Sequence, residues 1–241
     1  MARKGGSRHL KALAAPKSWL VRRKLFHFIA KPRPGPHAVE DSMPAYLILR
    51  DLLREVSSIR EAKMVFKKGN VLIDGRQVKD EKRAVGFMDV IASPQWSESF
   101  RLVVDNKGRF SPIKIPVEEA SIKILKVLSK FTNRGGRIGI RLHDGTSLNV
   151  AGELPVSVGD SIVISLPDRE LKEIIHLKQG AHCFVFKGRS AGKAGIFAGE
   201  VASTMRRMGL IQLQLEDGST VSTPKDYVIA IGEHAPKVRL K

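Results

Sequence analysis

Apolar positions between residues 42 and 70 recur at the spacing of two short helices. Ser42-Met43-Pro44 predicts a helix start, because serine caps helix N-termini and proline suits the first turn. The apolar residues from Tyr46 to Val56 then follow at intervals of three and four. Ser58-Ile59-Arg60-Glu61 has the pattern of a capping box, so a second helix is predicted to begin there and to end at Gly69-Asn70.

The pattern changes to strands directly after the second predicted helix. Val71-Leu72-Ile73 is a short apolar run, and Arg76-Gln77-Val78 returns from it. Asp74-Gly75 between them favours the tight turn of a β-hairpin. Residues 42–91 are therefore predicted to form a small helix-helix-hairpin domain.

Short strands separated by turn residues dominate the middle of the chain. Phe100–Val104 is a predicted strand, and a second hairpin is predicted from Ile138 to Val150. Pro116–Ala120 is predicted to be one helical turn, and Ile122 to Val127 fits a strand with a helix as the alternative. This pattern predicts a β-rich central domain at 92–171 with the character of a small barrel.

The strand pattern repeats in residues 172–241. The predicted strands are Cys183–Phe186, Ala194–Val201, Leu210–Leu215 and Ser219–Ser222, with Tyr227–Ile231 expected to close a second barrel. Lys187–Ile196 resembles the KOW motif, a glycine-centred turn of SH3-like barrels in ribosomal proteins and transcription elongation factors. Its glycines permit positive φ and the close approach of another backbone. Arg189 and Lys193 flank them and are predicted to contact phosphates.

The charge of the chain indicates what kind of partner it binds. The 241-residue chain has a formal net charge of +18, which attracts polyanions such as RNA, DNA or an anionic membrane. No Asp or Glu precedes Glu40, so residues 1–41 form a basic arm that is not expected to order by itself. Phosphates would neutralise its like charges. The arm cations predicted to bind RNA are Arg3, Lys4, Arg8, Lys11, Lys17, Arg22, Arg23, Lys24 and Arg33.

Two aromatic residues lie among these cations. Trp19 and Phe26 in a basic context are typical of residues that stack on unpaired bases. The alternative is that both rings, together with Leu20, Leu25 and Phe28, pack the arm against the domain behind it. Trp19 is included among the predicted RNA-binding residues, with both interpretations open.

Several classes of protein are not favoured by the sequence. No apolar run approaches the roughly 18 residues of a membrane span. The single cysteine, Cys183, excludes an internal disulfide, and the seven histidines have no metal-ligand spacing. Gly188–Lys193 fails as a P-loop, since its glycines are too close together and Ala194 replaces the magnesium-binding Ser or Thr. We therefore expect no catalysis, no metal and no cofactor.

The helix-helix-hairpin unit carries a more specific motif. Lys67-Lys68-Gly69-Asn70-Val71-Leu72-Ile73-Asp74-Gly75 resembles the small RNA-binding module shared by ribosomal proteins, pseudouridine synthases and some tRNA synthetases. In that module the second helix and the hairpin form the surface that faces RNA. The resemblance implies RNA contacts by the matching basic residues, which are Arg60, Lys63, Lys67, Lys68, Arg76 and Lys79.

Over its full length the chain is similar to the archaeal and eukaryotic small-subunit ribosomal protein S-four-e family. The similarity is carried by the order of the four units and by the motifs His9–Lys11, Leu13–Trp19, Pro32–His37, Gly86–Val90 and Gly108–Phe110. It implies binding to small-subunit ribosomal RNA beside neighbouring ribosomal proteins, a role in assembly and translation, a cytoplasmic location and a monomer outside the ribosome. Gly5-Gly6-Ser7 is a less basic start than the family pattern, and no long basic C-terminal tail is expected to add contacts.

The predicted fold is therefore α+β and multi-domain. The basic arm (1–41) precedes the helix-helix-hairpin domain (42–91), the β-rich central domain (92–171) and the C-terminal SH3-like barrel (172–241). Two other functions fit the sequence less well. An RNA-modifying enzyme would need a catalytic domain for which the length leaves little room. A transcription factor that holds a polymerase through the barrel does not account for the acid-free arm.

Overall fold

Antiparallel strands make up most of the fold, and three five-stranded sheets carry it. The computed structural model describes residues 7, 9–133, 137–150, 155–201, 209–215 and 217–240. Within these ranges, no helix has both the length and the apolar character needed to cross a membrane. The predicted contacts Arg3, Lys4 and Arg8 lie outside the described residues.

The elements follow each other in short segments. The strands before residue 116 are β1 (Leu10–Lys11), β2 (Phe28–Ile29), β3 (Ser42–Pro44), β4 (Leu72–Ile73), β5 (Arg76–Gln77), β6 (Ala84–Gly86), β7 (Val90–Ala92), β8 (Ser99–Val104) and β9 (Phe110–Ile115). The later strands are β10 (Ile122–Thr132), β11 (Ile138–Leu142), β12 (Ser147–Val150), β13 (Ser161–Ser165), β14 (Leu171–Ile175), β15 (His182–Val185), β16 (Ala194–Val201), β17 (Leu210–Leu215), β18 (Thr220–Pro224) and β19 (Val228–Gly232). The α-helices are α1 (Ala45–Leu47), which continues as a π-helical turn over Ile48–Leu52, α2 (Ile59–Lys67) and α3 (Val117–Ala120).

The first predicted helix begins later than its sequence indicated. Ser42 belongs to β3, and α1 starts after Pro44 without a side-chain cap. Ser42 is engaged elsewhere: its hydroxyl donates to the carbonyl of Ala38 at 2.7 Å. Its own carbonyl accepts the indole N–H of Trp19 at 2.6 Å. The capping prediction for Ser42 was wrong because these contacts with the arm hold the residue in an extended strand.

The second helix and the hairpin are confirmed. The Ser58 hydroxyl accepts the backbone N–H of Glu61 at 3.2 Å, as a capping box requires. The Glu61 carboxylate accepts the N–H of Ser57 at 2.8 Å rather than that of the cap residue. After α2, Asp74 and Gly75 take φ values of 52° and 73°, which is the geometry of a type I′ hairpin turn between β4 and β5.

The first large sheet crosses a predicted domain boundary. Its strand order is β5-β4-β7-β8-β9, so the hairpin of the predicted RNA-binding domain is hydrogen-bonded into one sheet with β8 and β9. The boundary at 91/92 falls inside β7, and this prediction was wrong. The boundary at 171/172 likewise falls inside β14, which pairs with β13. Local pattern located the strands, but pairing between them decided which segments belong together.

Neither predicted barrel is closed in the described residues. The middle sheet has the order β12-β11-β10-β13-β14, and its centre is the eleven-residue β10, which confirms a strand at Ile122–Val127. The third sheet has the order β18-β17-β16-β15-β19. Its last strand pairs with β15, and no ladder between β18 and β19 is present among the described strands. The 3₁₀ turn Lys225–Tyr227 carries the chain from one edge of this sheet to the other.

The units share one apolar core. Buried residues of the arm, the helix-hairpin unit and the third sheet form a single cluster, and a second cluster lies under the middle sheet. Phe87 links the units most clearly, because its ring stacks on Phe184 at 5.7 Å and on Phe186 at 5.1 Å between centroids. The chain is therefore less modular than the sequence indicated.

A buried lysine joins three turns at the centre of this assembly. Lys123 on β10 is 1% exposed, and its ammonium lies 2.6 Å from Asp74, 2.6 Å from Asp89 and 3.6 Å from Asp144. Burial opposes the charged lysine, but attraction by Asp89, Asp74 and Asp144 raises its pKa above the usual range. Burial likewise opposes the charge on Asp89, but His37 and Lys123 hold its pKa well below the usual range.

Two histidines beside this cluster have opposite charge preferences. His37, from the arm, lies 3.0 Å from a carboxylate oxygen of Asp89, which overcomes burial and raises the pKa of His37. Burial and the charge of Lys123 lower the pKa of His143 to about 4. His143 Nδ1 accepts the backbone N–H of Lys126 at 3.0 Å, which requires an unprotonated nitrogen. At neutral pH His143 is therefore neutral.

Replacing Lys123 by methionine should destabilise the fold strongly. The variant leaves three carboxylates buried without their cation, and we expect a loss of about 3–5 kcal/mol in the free energy of unfolding. Lys114→Met is the control, since Lys114 is an exposed residue paired with Glu98 at 2.7 Å and should contribute less than about 1 kcal/mol. Urea unfolding followed by tryptophan fluorescence measures both; equal losses would contradict a central role for Lys123.

The pH dependence of stability should report His143. In the unfolded chain its pKa returns to about 6.5. Between pH 6.5 and 4 the unfolded state therefore binds the proton that the folded state rejects, so this group lowers stability as the pH falls. We expect His143→Gln to lose less unfolding free energy than the wild type over this range, by up to about 3 kcal/mol. Urea midpoints collected every half pH unit test this; parallel profiles would show that His143 does not titrate as described.

Candidate nucleic-acid interface

One face of α2 is basic and exposed. Arg60, Lys63 and Lys67 follow each other at helical spacing and are all exposed, while Ala62 and Phe66 pack into the core. Lys68, directly after the helix, is exposed as well. Lys63 lies 3.8 Å from Glu81, a separation at which an exposed pair binds weakly. The face therefore presents a row of cations to solvent.

The hairpin is fixed beside the end of this helix. The side-chain amide of Gln77 on β5 donates to the carbonyl of Gly69 at 3.1 Å. Gly69 has φ 74°, and a Cβ there would overlap the Gln77 side chain. This contact brings β5, with exposed Arg76, alongside the C-terminal end of α2, and exposed Lys79 follows. The six cations of the α2–hairpin surface (Arg60, Lys63, Lys67, Lys68, Arg76 and Lys79) therefore belong to one rigid unit.

The tip of the hairpin faces protein. Asp74 points inward, where one carboxylate oxygen accepts the N–H of Val90 at 3.0 Å and the other meets Lys123. A Cβ on Gly75 would lie 2.9 Å from the Pro167 side chain, so the turn rests against the loop before β14. The strand β5 and the residues after it are thus the part of the hairpin available to a ligand.

The arm is folded against the helix-hairpin unit. Ala12, Ala15 and Trp19 are buried, and the N–H of Ala30 donates to the Tyr46 hydroxyl at 3.3 Å. The arm was not expected to order by itself, and in residues 9–41 the neighbouring unit supplies the core on which it packs. The predicted contacts of the arm that remain exposed are Lys11, Lys17, Arg22, Lys24 and Arg33. Arg33 also pairs with Asp80 at 2.9 Å.

Two predicted RNA contacts of the arm have structural roles instead. Trp19 is 2% exposed, so its indole cannot stack on a base, and the alternative in which it staples the arm is the one observed. The guanidinium of Arg23 donates to the carbonyls of Ala15 at 2.8 Å and Pro16 at 2.9 Å, and also to Leu13. These bonds hold the turn after β1, so the phosphate contact predicted for Arg23 is not supported by its position.

The glycine-rich loop of the third sheet contacts protein with its backbone and exposes its cations. Gly188 and Gly192 have φ values of 86° and 82°, as the motif predicted. A Cβ on Gly192 would lie 2.4 Å from the backbone of Asp105, which confirms the expected close approach of another chain segment. Arg189 and Lys193 are exposed on this loop. The loop is therefore fixed in position, with both predicted cations pointing to solvent.

Sequence reasoning missed some exposed residues of the same chemical kind. Lys130 and Arg141 are exposed on the β10–β11 hairpin, where alternation along the strands was the available signal. Phe28 was considered only as a staple, yet its ring is exposed and Lys11 is its cross-strand partner. Pairing of β1 with β2 is a long-range contact that the local pattern does not encode.

The described residues offer no centre for catalysis by a metal. Across these parts of the chain, no three His, Cys, Asp or Glu side chains are arranged to hold a metal ion. The densest group of carboxylates surrounds the ammonium of Lys123. Cys183 is buried, which raises the pKa of its thiol to about 12 and keeps it protonated. Among the described residues, the exposed cations and a few exposed aromatic rings are the groups suited to a polyanionic ligand.

Comparison with known proteins identifies the family. Residues 96–171 match the model of the Ribosomal family S4e, and residues 4–40 match the RS4NT (NUC023) domain. The chain is 38% identical to the small ribosomal subunit protein eS4 of Methanocaldococcus jannaschii, with all of both chains covered. It is 36% identical to the eS4 protein of Aeropyrum pernix, with 100% of this chain and 98% of the relative covered.

A solved structure agrees with these sequence matches. The crystal structure of the 30S ribosomal protein S4e from Thermoplasma acidophilum has a TM-score of 0.68 and 33% sequence identity to this chain. The match covers 80% of this chain and 96% of that one. The eS4 relatives match over the full length of the chain, and the matches agree with the resemblance seen in the sequence. The chain therefore belongs to the S4e family of small-subunit ribosomal proteins.

Proposed function

We propose that this protein binds small-subunit ribosomal RNA as a non-catalytic component of the ribosome and supports assembly of the subunit. The observation that carries the proposal is the α2–hairpin surface, whose six cations are exposed on one rigid unit. Lysine and arginine at such a surface neutralise phosphates and release counterions. A fixed arrangement of cations also selects RNA by its shape, since only some backbones place phosphates to match.

The arm and the glycine-rich loop extend this contact. Lys11, Lys17, Arg22, Lys24 and Arg33 add cations from the arm, and Arg189 and Lys193 add two from the loop of the third sheet. Because the arm packs on the helix-hairpin unit, its cations and the α2–hairpin surface keep one mutual geometry. We propose that the protein is a monomer before assembly, and that it then lies in the cytoplasmic ribosome beside other small-subunit proteins.

The two other functions have less support. An RNA-modifying enzyme would need a catalytic centre, and the relatives that span the whole chain are named as ribosomal proteins. A polymerase-binding factor would rest on the third sheet alone, whereas the cations are spread over the arm, α2 and the hairpin. Binding to ribosomal RNA accounts for all of these surfaces together.

A salt series tests the proposal directly. We expect the protein to bind naked small-subunit ribosomal RNA more tightly than an unrelated folded RNA of equal length, with a preference that persists at high salt. Affinity for both RNAs should fall with salt, by roughly 0.7 to 0.9 in logarithmic slope for each phosphate contact. Equal affinity for both RNAs would show that the protein binds RNA non-specifically through its charge, and would contradict shape recognition.

The α2–hairpin surface makes a sharper prediction. Replacing Lys67, Lys68 and Arg76 together by glutamine should reduce the salt slope by about 2 to 3, because up to three phosphate contacts are lost. All three side chains are exposed, so helix content and the unfolding midpoint should stay unchanged.

The matched control is the triple glutamine variant of Lys107, Lys172 and Lys178, which removes the same charge from exposed positions outside α2 and the hairpin. Its salt slope should stay near that of the wild type. Equal effects of the two triple variants would show that total charge, rather than this surface, sets the affinity. Loss of circular-dichroism helix signal in the first variant would show that those side chains support the fold.

A further inference from the structure

The outward face of the β1–β2 ribbon combines an aromatic ring with a cation. β1 and β2 pair with Leu10 opposite Ile29 and Lys11 opposite Phe28. Directly opposite residues of an antiparallel pair lie on the same face, and successive pairs lie on opposite faces. Leu10 and Ile29 pack against the core, so Lys11 and Phe28 face outward together.

The ring of Phe28 is held in place and left open. Its exposed fraction is 56%, whereas Trp19 on the same arm is 2% exposed. The ring of His27 meets Phe28 edge-on at 4.5 Å between centroids, and the ring of His9 lies 5.7 Å away. These contacts limit the orientations of the ring, and its 56% exposure leaves part of it open to solvent. Phe28 is therefore an ordered aromatic surface available to a flat partner.

Phe26 offers less. It is similarly exposed, but the guanidinium of Arg50 lies over its ring at 5.6 Å from the centroid. One face of Phe26 is thus already occupied by a cation, and Arg50 is itself fixed by Asp51 at 2.8 Å. Phe28 is the ring of the arm that combines exposure with a neighbouring cation directed to the same side.

The charge around the ribbon favours a nucleic acid over a protein segment as the occupant. No acidic residue precedes Glu40, and the exposed cations Lys11, Lys17, Arg22 and Lys24 lie on the same arm. A phosphate-bearing ligand or an acidic protein segment is attracted by this field, whereas an apolar or basic segment gains nothing from it. A nucleotide also carries a flat base that can stack on the open ring of Phe28. Stacking on an aromatic side chain requires a base that is not paired in a helix.

We propose that the outward face of the β1–β2 ribbon is a binding site for an unpaired nucleotide, whose base stacks on Phe28 while its phosphate contacts Lys11. This site rests on the proposed binding to ribosomal RNA and names the kind of RNA that the arm recognises. Stacking accepts any base, because each has a flat aromatic face. The site therefore selects single-stranded loops or bulges rather than a particular sequence.

The test uses the full-length protein and two RNA probes with equal numbers of phosphates. One is a short single-stranded oligonucleotide, and the other is an abasic oligonucleotide that keeps the backbone and lacks the bases. Phe28→Leu removes the ring and keeps an apolar side chain. Lys11→Gln removes the charge. Leu13→Ala is the control, since Leu13 is an aliphatic residue of the same arm with 75% exposure.

We expect Phe28→Leu to weaken binding of the base-bearing oligonucleotide by about 5- to 150-fold, the range for loss of one stacked base, and to leave binding of the abasic oligonucleotide unchanged. Lys11→Gln should weaken both probes and lower the salt slope by about 0.7. Leu13→Ala should match the wild type with both probes. Thermal melts of all variants confirm that each is folded.

Other outcomes overturn the proposal. Wild-type protein that does not distinguish the two probes, or binds neither, has no stacking site for an unpaired base. If Phe28→Leu binds both probes as the wild type does, the face is not used for RNA and is left for a protein neighbour. Binding of each variant to naked small-subunit ribosomal RNA is measured separately. Tight, salt-sensitive wild-type binding there would uphold the proposed function even where the nucleotide site fails.

Discussion

The ammonium of Lys123 among three buried carboxylates is the interaction on which the arrangement of the fold depends. Asp74 comes from the β4–β5 turn, Asp89 from the segment before β7 and Asp144 from the β11–β12 turn. The arm joins the same cluster through His37 and Asp89. Breaking a buried ion pair leaves a charge in an apolar interior, which costs several kcal/mol. The cluster therefore fixes the relative positions of segments that local sequence patterns would let fold separately.

This arrangement also governs where charge appears on the surface. Asp74, Asp89 and Asp144 are buried around the ammonium of Lys123, and Glu119 pairs with the buried Arg101. Many of the cations, in contrast, remain exposed on the arm, α2 and the hairpin. A net charge of +18 thus acts outward as a field for a polyanion, while part of the acidic complement holds the interior together. The buried carboxylates therefore stabilise the fold, whereas the exposed cations provide the attraction for a polyanion.

Rigid coupling holds the cations of the proposed interface in one arrangement. Gln77 ties the hairpin to α2, and Trp19 ties the arm to β3. The buried Lys126 on β10 adds a link to the third sheet, since its ammonium donates to the carbonyl of Lys225 at 2.5 Å. Cations on separate flexible modules would neutralise any phosphate backbone. Cations on one body match only an RNA whose phosphates and unpaired bases have the complementary geometry.

The sequence by itself determined the features that depend on neighbouring residues. The cap at Ser58, the end of α2 at Gly69 and the turn at Asp74-Gly75 were predicted because each is a local hydrogen bond or a local backbone preference. The resemblance to a small RNA-binding module singled out the cations of α2 and the hairpin, and family motifs indicated the class of protein.

The tertiary structure alone decided which residues meet across the chain. Trp19 and Ser42 lie far apart in sequence, and the bond between them accompanies the burial of Trp19, for which stacking and stapling were both open, and the strand conformation of Ser42, which was expected to cap a helix. The pairing of β1 with β2 likewise placed Lys11 beside Phe28. Composition and spacing reveal that a residue is basic, aromatic or apolar. Whether it faces solvent depends on long-range packing, which no local pattern encodes.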